Sequence, residues 1–249
     1  MAACIGREFS HELLRAVSAL SDSALRDALA QLLDAELIFR RGTPSDARYT
    51  FKHALVQDAA RESLLKSKRQ HIHARIATVL EEGFPAIAET EPETLAQHLT
   101  EAGLADKAVT YWMRAGRNAV ERSANLEAIS HLSKGLEGLK SLPEGPERDR
   151  QELALQTALG TSLIAVHGYA APQTGAAYRR ARALAERLGD AGAQFATLSG
   201  EFTYHFVRGD HGMMRQITDE ARRASDRTED PLTLCLRTST HVCLHIRSP

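Results

Sequence analysis

His53 is the residue in this chain whose position most invites a chemical role. It lies in the stretch RYTFKHALVQDAA, residues 48–60, which begins like a β-strand and ends like a helix. The residues that follow, RESLLKSKRQHIHAR, carry five Lys or Arg and one Glu. Three interpretations are open: a catalytic histidine, a basic contact with nucleic acid, or a structural junction. Because no nucleophile, metal ligand or second base accompanies His53 in the sequence, catalysis is the least supported.

Two further histidine pairs have spacings that resemble those of metal ligands. His71 and His73 are two residues apart, so on a helix their side chains point about 200° apart and cannot share an ion. His241 and His245 do share a helix face, and Cys235 lies further along the same predicted helix. Structural zinc sites normally show four ligands in motif spacing. We therefore expect no metal site in this chain.

No nucleotide-binding or hydrolytic motif is complete in the sequence. The nearest match to the P-loop pattern GxxxxGK[ST] is GLKS at residues 138–141, which lacks the glycine before the lysine. The patterns HExxH, GxSxG and GxGxxG do not occur. We therefore expect the chain to be non-enzymatic and to hold no cofactor by itself.

Composition excludes several classes of protein. The 249 residues are 43% hydrophobic and 25% charged, with a net charge of -1, so nothing global attracts nucleic acid or an anionic membrane. Cys4, Cys235 and Cys243 form no CxxC pair and are odd in number, which favours a reduced, cytoplasmic compartment. No run approaches ~18 apolar residues, so we predict no membrane span and no membrane contact.

Residues 1–84 have the pattern of a winged-helix domain with trailing helices. Ser10 can cap a helix over HELLRAVSAL, and Ser21 or Asp22 can cap a second over SALRDALAQLLDAEL. The runs LIFRRG and RYTFKH flank a turn-rich TPSDA, which predicts a β-hairpin. Helices near 54–63 and 66–82 follow. The opening MAACIGREFS indicates a short apolar turn before the first clear helix.

The rest of the chain is predicted to be a linker and an array of helices. Residues 85–92, PAIAETEP, hold two prolines and two acids and indicate a linker. From residue 93 to 249 we predict helices near 93–102, 106–122, 125–140, 147–167, 173–188, 192–207, 211–226 and 231–246. The expected fold is mostly α: a winged-helix domain with a small β-hairpin, followed by a TPR-like α–α superhelical array.

The array shows the spacing of degenerate tetratricopeptide (TPR-like) repeats. The residues expected to pack its first hairpin are Trp112, Ala115, Gly116, Ala128, Leu132 and Gly135. Small residues are expected where two helices cross, because a larger side chain would push the helices apart. Later helix pairs recur at offsets of 39 and 40 residues, longer than the standard repeat of about 34. Such arrays bind other proteins on their concave face, so we expect a protein partner or small effector there.

A winged helix often binds DNA, and this alternative rests on a basic surface. The candidate contact residues are Arg40, Arg41, Lys52, Lys66, Lys68 and Arg69. Against this, the predicted recognition helix carries Asp22, Asp27, Asp34 and Glu36 near one arginine, and phosphates would repel them. The basic run also lacks interleaved aromatic residues. A solvated face or interdomain contact is favoured over a DNA-binding transcriptional regulator, and nucleic acid is an unlikely partner.

Several segments together resemble the C-terminal part of large bacterial signalling ATPases of the STAND type. These are P-loop proteins frequently fused to class III adenylate or guanylate cyclase domains. The segments are IGREFSHELL, YTFKHALVQDAARESLL, RQHIHARIATVLE, GLADKAVTYWMRAGRNAVERSANLEAISHLSKGLE and LGTSLIAVHGYAAPQTGAAYRRARALAERLGD. The resemblance covers essentially the whole chain. It implies a regulatory fragment, because the family's cyclase and P-loop domains precede the winged helix and neither is in this sequence.

The resemblance also implies the limits of the chain and the role of His53. The winged helix would enter partway through its first helix, and the repeats would be truncated at the C-terminus. ATP or ADP would bind only with the missing nucleotide-binding domain, a partner of the winged helix. In related switches a histidine at the wing-to-helix junction contacts the ADP phosphate. Residues 51–56, FKHALV, resemble that motif, with Ala54 in place of the family's Asp. His53 is therefore expected to sense nucleotide in the intact parent protein.

Overall fold

The computed structural model describes residues 1–43 and 46–225, with side chains to residue 222, and the predicted helix 231–246 lies outside them. The fold is mostly α, at 77% helix, with a small antiparallel sheet, as the sequence predicts. The chain divides into two compact units, one of residues Met1–Tyr111 and a second that begins at Trp112.

The first unit opens with a winged-helix arrangement. Its elements are α1 (Ala2–Ile5), β1 (Glu8–Ser10), α2 (His11–Val17), α3 (Asp22–Asp34), β2 (Ile38–Arg41) and β3 (Arg48–Phe51). The strands form an antiparallel sheet in the order β1-β3-β2, so β3 lies in the middle. The predicted wing is the β2–β3 hairpin.

Local signals in the sequence fix the two helix starts. The Ser10 hydroxyl accepts a hydrogen bond from the Leu13 backbone N–H at 3.1 Å, and Ser21 accepts one from Ala24 at 3.3 Å. Both serines thus satisfy a backbone donor that the first turn leaves open. The core beneath the sheet consists of buried side chains from every element of this part: Ala3, Phe9, Leu14, Leu25, Leu29, Ile38, Tyr49 and Phe51.

Strand β1 differs from the prediction of an apolar turn before Ser10. Phe9 pairs with Tyr49 in the sheet and stacks on its ring at a centroid distance of 5.6 Å. The strand has only three residues, Glu8–Ser10. A run this short shows no clear alternation of apolar and polar residues, so only its pairing with β3 defines it.

The remainder of the first unit is helical, including the segment predicted as a linker. Its helices are α4 (Ala54–Glu62), α5 (Lys66–Gly83), α6 (Pro85–Thr90) and α7 (Pro92–Ala102). The linker prediction for residues 85–92 was based on two prolines, but each occupies the first turn of a helix. Proline is favoured there, since its missing N–H has no intrahelical acceptor to lose. Helix α8 (Ala105–Glu121) contains the division between the units, whereas the predicted array begins at residue 93.

The second unit continues with helices that pack in sequence order. They are α9 (Asn125–Leu139), α10 (Pro146–His167), α11 (Pro172–Leu188), α12 (Ala191–Arg208) and α13 (His211–Ser225). Each packs against the next from α9 to α13. All these bounds fall within one residue of the predicted helices. The packing is that of consecutive helical hairpins.

Glycines allow the helices of the second unit to approach closely. A Cβ added to Gly116 would lie 2.5 Å from Leu132 Cδ2, and one added to Gly135 would lie 2.9 Å from Leu155 Cδ2. Gly160 and Gly200 both face the ring of Tyr178, and Gly175 faces the ring of Tyr204. Real Cβ atoms do not come within 3.0 Å of such neighbours, and only Gly160, at 3.0 Å, is not below this limit. An added side chain at the other crossings would therefore force a neighbouring group to move.

The crossing at Gly175 yields a stability prediction. A Cβ there would lie 2.6 Å from the Tyr204 ring, a rigid group held between helices. We expect Gly175→Ala to lower the free energy of unfolding by about 1–3 kcal/mol, the usual cost of overpacking. Urea unfolding followed by circular dichroism measures this change.

Gly192→Ala is the matched control, because Gly192 also lies in the first turn of a helix. The nearest atom to its added Cβ is Asp190 Oδ1 at 3.6 Å, an ordinary contact. Alanine should be neutral or stabilise by about 0.5–1 kcal/mol there. Equal effects of the two substitutions would show that the Gly175 crossing is not tightly packed.

Candidate functional site

A groove in the second unit forms an open concave surface among the described residues. Its volume is about 680 Å³. Its lining residues come mainly from α10, with one from α8 and the rest from the α11–α12 region: Arg117, Arg150, Leu153, Ala154, Thr157, Ala158, Thr161, Leu188, Asp190 and Ala193. Ala154, Thr157, Ala158 and Thr161 recur at helical spacing, so they form one face of α10. Because their side chains are small, a ligand in the groove can approach the backbone of α10 closely.

Three charged side chains line the groove, and two of them already have a partner within the protein. Asp190 caps α12, accepting a hydrogen bond from the Ala193 backbone N–H at 2.9 Å. Arg150 forms a solvent-exposed ion pair with Glu147 at 3.0 Å. Arg117 is exposed and has no ion-pair or hydrogen-bond partner among the residues described. The groove therefore offers an incoming ligand a free guanidinium group.

The residues predicted to pack the repeats lie in the interior of the α8–α9 hairpin. The side chains of Trp112, Ala115, Ala128 and Leu132 are buried. The Trp112 ring stacks on His131 at a centroid distance of 5.5 Å and lies beneath the Lys134 ammonium at 4.6 Å. With Gly116 and Gly135 at helix crossings, these residues shape the hairpin and do not line the groove.

His53 lies at the predicted junction, directly after β3 and at the N-cap position of α4. Its side chain is exposed and does not cap the helix. Its backbone carbonyl accepts the hydrogen bond from Val56 at 3.1 Å. Leu55, two residues on, is 81% exposed, and α4 has no buried side chain. The start of α4 is thus an exposed, partly apolar surface of the first unit.

The six candidate basic residues do not form one uniform surface. Arg40 and Arg41 are consecutive in β2, so their side chains leave opposite faces of the sheet. The Lys52 ammonium lies 2.6 Å from Glu36 and 5.5 Å from the centre of the Phe39 ring. Lys66 and Lys68 are exposed on α5 two residues apart, whereas Arg69 is half-buried. The Glu36 carboxylate therefore partly offsets the positive charge of Lys52 beside the wing.

The exposed face of α3 is acidic. Asp22, Asp27 and Asp34 are all exposed, whereas Leu25 and Leu29 face the core. Arg26 is on the exposed side, and its Nε donates to the Asp22 carbonyl oxygen at 3.2 Å. A helix with this face would repel the phosphates beside the major groove.

These charges predict the outcome of a DNA-binding experiment. We expect no salt-sensitive binding of the chain to a labelled duplex of ~20 base pairs, measured by fluorescence anisotropy at low ionic strength. Charge-neutralising contacts would make affinity fall steeply with salt. Binding that does so, and that disappears in the triple variant Arg40→Glu, Arg41→Glu, Lys52→Glu, would show that the wing contacts DNA.

A buried histidine pair in the first unit was not anticipated from the sequence. His73 on α5 and His98 on α7 place their Nδ1 atoms 2.9 Å apart, and both side chains are buried. His71 is exposed, as its spacing from His73 predicts. The two residues are 25 positions apart in the chain. Only the packing of α5 against α7 brings them together, so no local motif could have revealed the pair.

The buried surroundings of His73 and His98 favour the uncharged form of both imidazole rings. Burial lowers the pKa of His98 from 6.5 to about 4, with a further contribution from His73. Burial also lowers the pKa of His73, opposed by the nearby Glu101 carboxylate and assisted by Arg61 and Arg69. One Nδ1 must donate and the other accept, so the contact cannot survive double protonation. His73 Nε2 is buried without a hydrogen-bond partner, which adds to the cost of charging the ring.

The histidine pair predicts a specific acid lability. Between pH 6.5 and about 4 these histidines are protonated in the unfolded chain but stay neutral in the folded protein. The free energy of unfolding therefore falls as pH falls. The His98 shift alone corresponds to roughly 3 kcal/mol by pH 4. The free energy of urea unfolding, measured from pH 7.5 to 4, should show this loss. The double variant His73→Leu, His98→Leu should lose less stability over the same range.

His71→Asn is the control for this titration, since His71 lies on the same helix but is exposed. It should keep the pH dependence of the wild-type protein. Carboxylates titrate below pH ~5 in all three proteins, so the informative quantity is the difference between their curves. Parallel curves for the wild type and the double variant would rule out a contribution from the pair.

No group of three or more His, Cys, Asp or Glu residues is arranged to hold a metal ion within 1–43 and 46–225. His241, His245 and Cys235 lie outside those ranges. None of the described helices is long and apolar enough to cross a bilayer.

The chain is similar to part of a longer curated protein. The chain is 30% identical over 187 residues to "Uncharacterized protein R02095" of Rhizobium meliloti (strain 1021). The match covers 75% of this chain but 18% of the relative, so the chain spans less than a fifth of that protein's length. No family model matches the chain. No solved structure matches it.

Proposed function

We propose that this chain is a non-enzymatic protein-interaction and regulatory module of a larger signalling ATPase, of the kind associated with adenylate cyclase domains. Its helical repeats would bind a partner or effector, and its winged helix would relay that event to a nucleotide-binding domain. The observation that carries the proposal is the open groove of about 680 Å³ beside α10. An extended concave surface on stacked helical hairpins is the usual binding site of such arrays.

The proposal of a larger parent protein has two supports. One is the resemblance of the winged-helix and repeat segments to STAND ATPases. The other is the length of the Rhizobium meliloti relative, of which the matched region is 18%. In such a parent, ATP or ADP would be bound by a separate nucleotide-binding domain. The chain itself would work in the cytoplasm without a cofactor.

The proposed relay surface is the start of α4. His53 and Leu55 are exposed there, next to the wing. An exposed imidazole at the N-terminus of a helix suits contact with an anion such as a nucleotide phosphate. The exposed Leu55 suits an apolar contact with a neighbouring domain. Both features support an interdomain role for the junction.

The DNA-binding alternative has less physical support. It requires a positive recognition surface, but α3 exposes Asp22, Asp27 and Asp34. The positive charge of the wing lysine, Lys52, is partly offset by Glu36. The acidic face of α3 favours the interaction module over a transcriptional regulator.

The proposed interaction role is tested by selection from a random peptide library displayed on phage. The full chain is the bait, and the groove-filled variant Ala154→Trp is the counter-bait. Ala154 is half-buried on the groove wall, so an indole there would occupy the floor. We expect peptides that bind the wild-type chain and bind Ala154→Trp at least tenfold more weakly.

A second blocking variant guards against misfolding. Thr161→Trp lies on the same face of α10 at an exposed position, and it should reproduce the loss with an unchanged circular dichroism spectrum. Failure to enrich any peptide on the wild-type chain would contradict the proposal of a groove-based interaction module. So would peptides that bind both Trp variants as tightly as they bind the wild-type chain.

A further inference from the structure

We propose that the groove beside α10 binds an extended peptide segment with acidic side chains, with Arg117 as the residue that pairs with a carboxylate. This inference rests on the proposed function, since it specifies the chemistry of the partner at the same groove. It commits to an internal segment of a protein chain, with side-chain carboxylates as the recognised groups.

The dimensions of the groove suit an extended chain. Its lining residues on α10 run from Arg150 to Thr161. Those positions are separated by roughly 16 Å along a helix axis. An extended peptide covers this length with about five residues. The small side chains of Ala154, Thr157 and Ala158 leave room for a backbone to lie close to the helix.

The apolar part of the lining favours contact with a peptide over a hydrated ion. Leu153, Leu188 and Ala193 contribute to the same surface. The hydroxyl of Thr157 already donates to the Leu153 carbonyl oxygen at 2.8 Å, and that of Thr161 donates to the Thr157 carbonyl oxygen at 3.2 Å. These donors are satisfied within α10, so the middle of the groove offers mainly methyl groups.

Charge complementarity gives the sign of the partner. Three of the lining residues are charged at neutral pH: Arg117, Arg150 and Asp190. Asp190 is held by its hydrogen bond to the start of α12. Arg150 can exchange its exposed partner Glu147, because a solvent-exposed pair contributes little stability. Arg117 has no partner to exchange among the described residues. A carboxylate in the groove would therefore gain an ion pair without breaking an internal one.

The test compares the composition of selected peptides. Random heptapeptides displayed on phage are selected in parallel on the full wild-type chain, on Arg117→Glu and on Arg215→Glu. Arg215 is exposed on α13 and does not line the groove, so it controls for the change in net charge. We expect an excess of Asp and Glu in the wild-type and Arg215→Glu pools. The Arg117→Glu pool should lose this excess.

A double-mutant cycle then tests whether Arg117 pairs with a carboxylate of the peptide. A selected acidic peptide and its counterpart with amides in place of carboxylates are titrated against the wild type and Arg117→Gln, which removes the charge without adding an acid. Each single change should weaken binding about two- to fivefold, the range expected for an ion pair that involves an exposed arginine. Together they should weaken it little further, because they remove the same interaction.

The results that overturn this inference differ from those that overturn the proposed function. Peptides that are sensitive to Ala154→Trp but show no acidic excess would leave the interaction module standing and reject the acidic partner. An acidic excess that persists on Arg117→Glu, or additive effects in the cycle, would also reject it. Complete failure to enrich peptides on the wild-type chain would reject the proposed function, and with it the inference of an acidic partner.

Discussion

The close approach of helices at glycine is the constraint on which the second unit depends. Gly135 lets Leu155 of α10 pack against α9, and Gly160 and Gly200 accept the two sides of the Tyr178 ring. Each crossing fixes the distance between consecutive helices, and a fixed distance repeated along the chain makes an array. A Cβ at Gly200 would lie 2.3 Å from the Tyr178 ring, and one at Gly135 would lie 2.9 Å from Leu155, so a side chain at either position would force its neighbour to move. The spacing of small residues therefore sets the geometry of the surface on which a partner could bind.

Buried charge provides a second link between the last described helices. Arg182 on α11 is 17% exposed and contacts Glu201 of α12 at 3.0 Å and Glu220 of α13. Glu201 is almost completely buried, and this guanidinium is its ion-pair partner. A planar group with five donors can serve several carboxylates at once, which a lysine could not do with the same geometry. These ion pairs connect α11 to both α12 and α13.

Helices were predicted well from the sequence where their ends carry local start and stop residues. Elements and sites that depend on contacts between distant segments were not predicted. Helix bounds in the second unit followed from Pro, Gly and Asp at the ends. Strand β1 is too short to be predicted without its partner β3. Helix α6 was not predicted, because the composition of its residues is typical of a linker and Pro85 was taken as a helix breaker, although it begins the helix. The histidine pair and the groove depend on helices that meet only after folding. A sequence pattern contains no information on those contacts unless the packing is already known.

Helix α10 shows how the fold and the proposed binding surface can vary independently. One face buries Leu155, Gly160 and Leu163 in the hairpin packing. The opposite face presents Ala154, Thr157, Ala158 and Thr161 to the groove. Changes on the packing face alter stability, because they disturb helix crossings. Changes on the groove face alter mainly what can bind, because surface substitutions away from such crossings cost little stability. An array of this design can therefore acquire a new partner by substitution of a few small residues while the helices keep their positions.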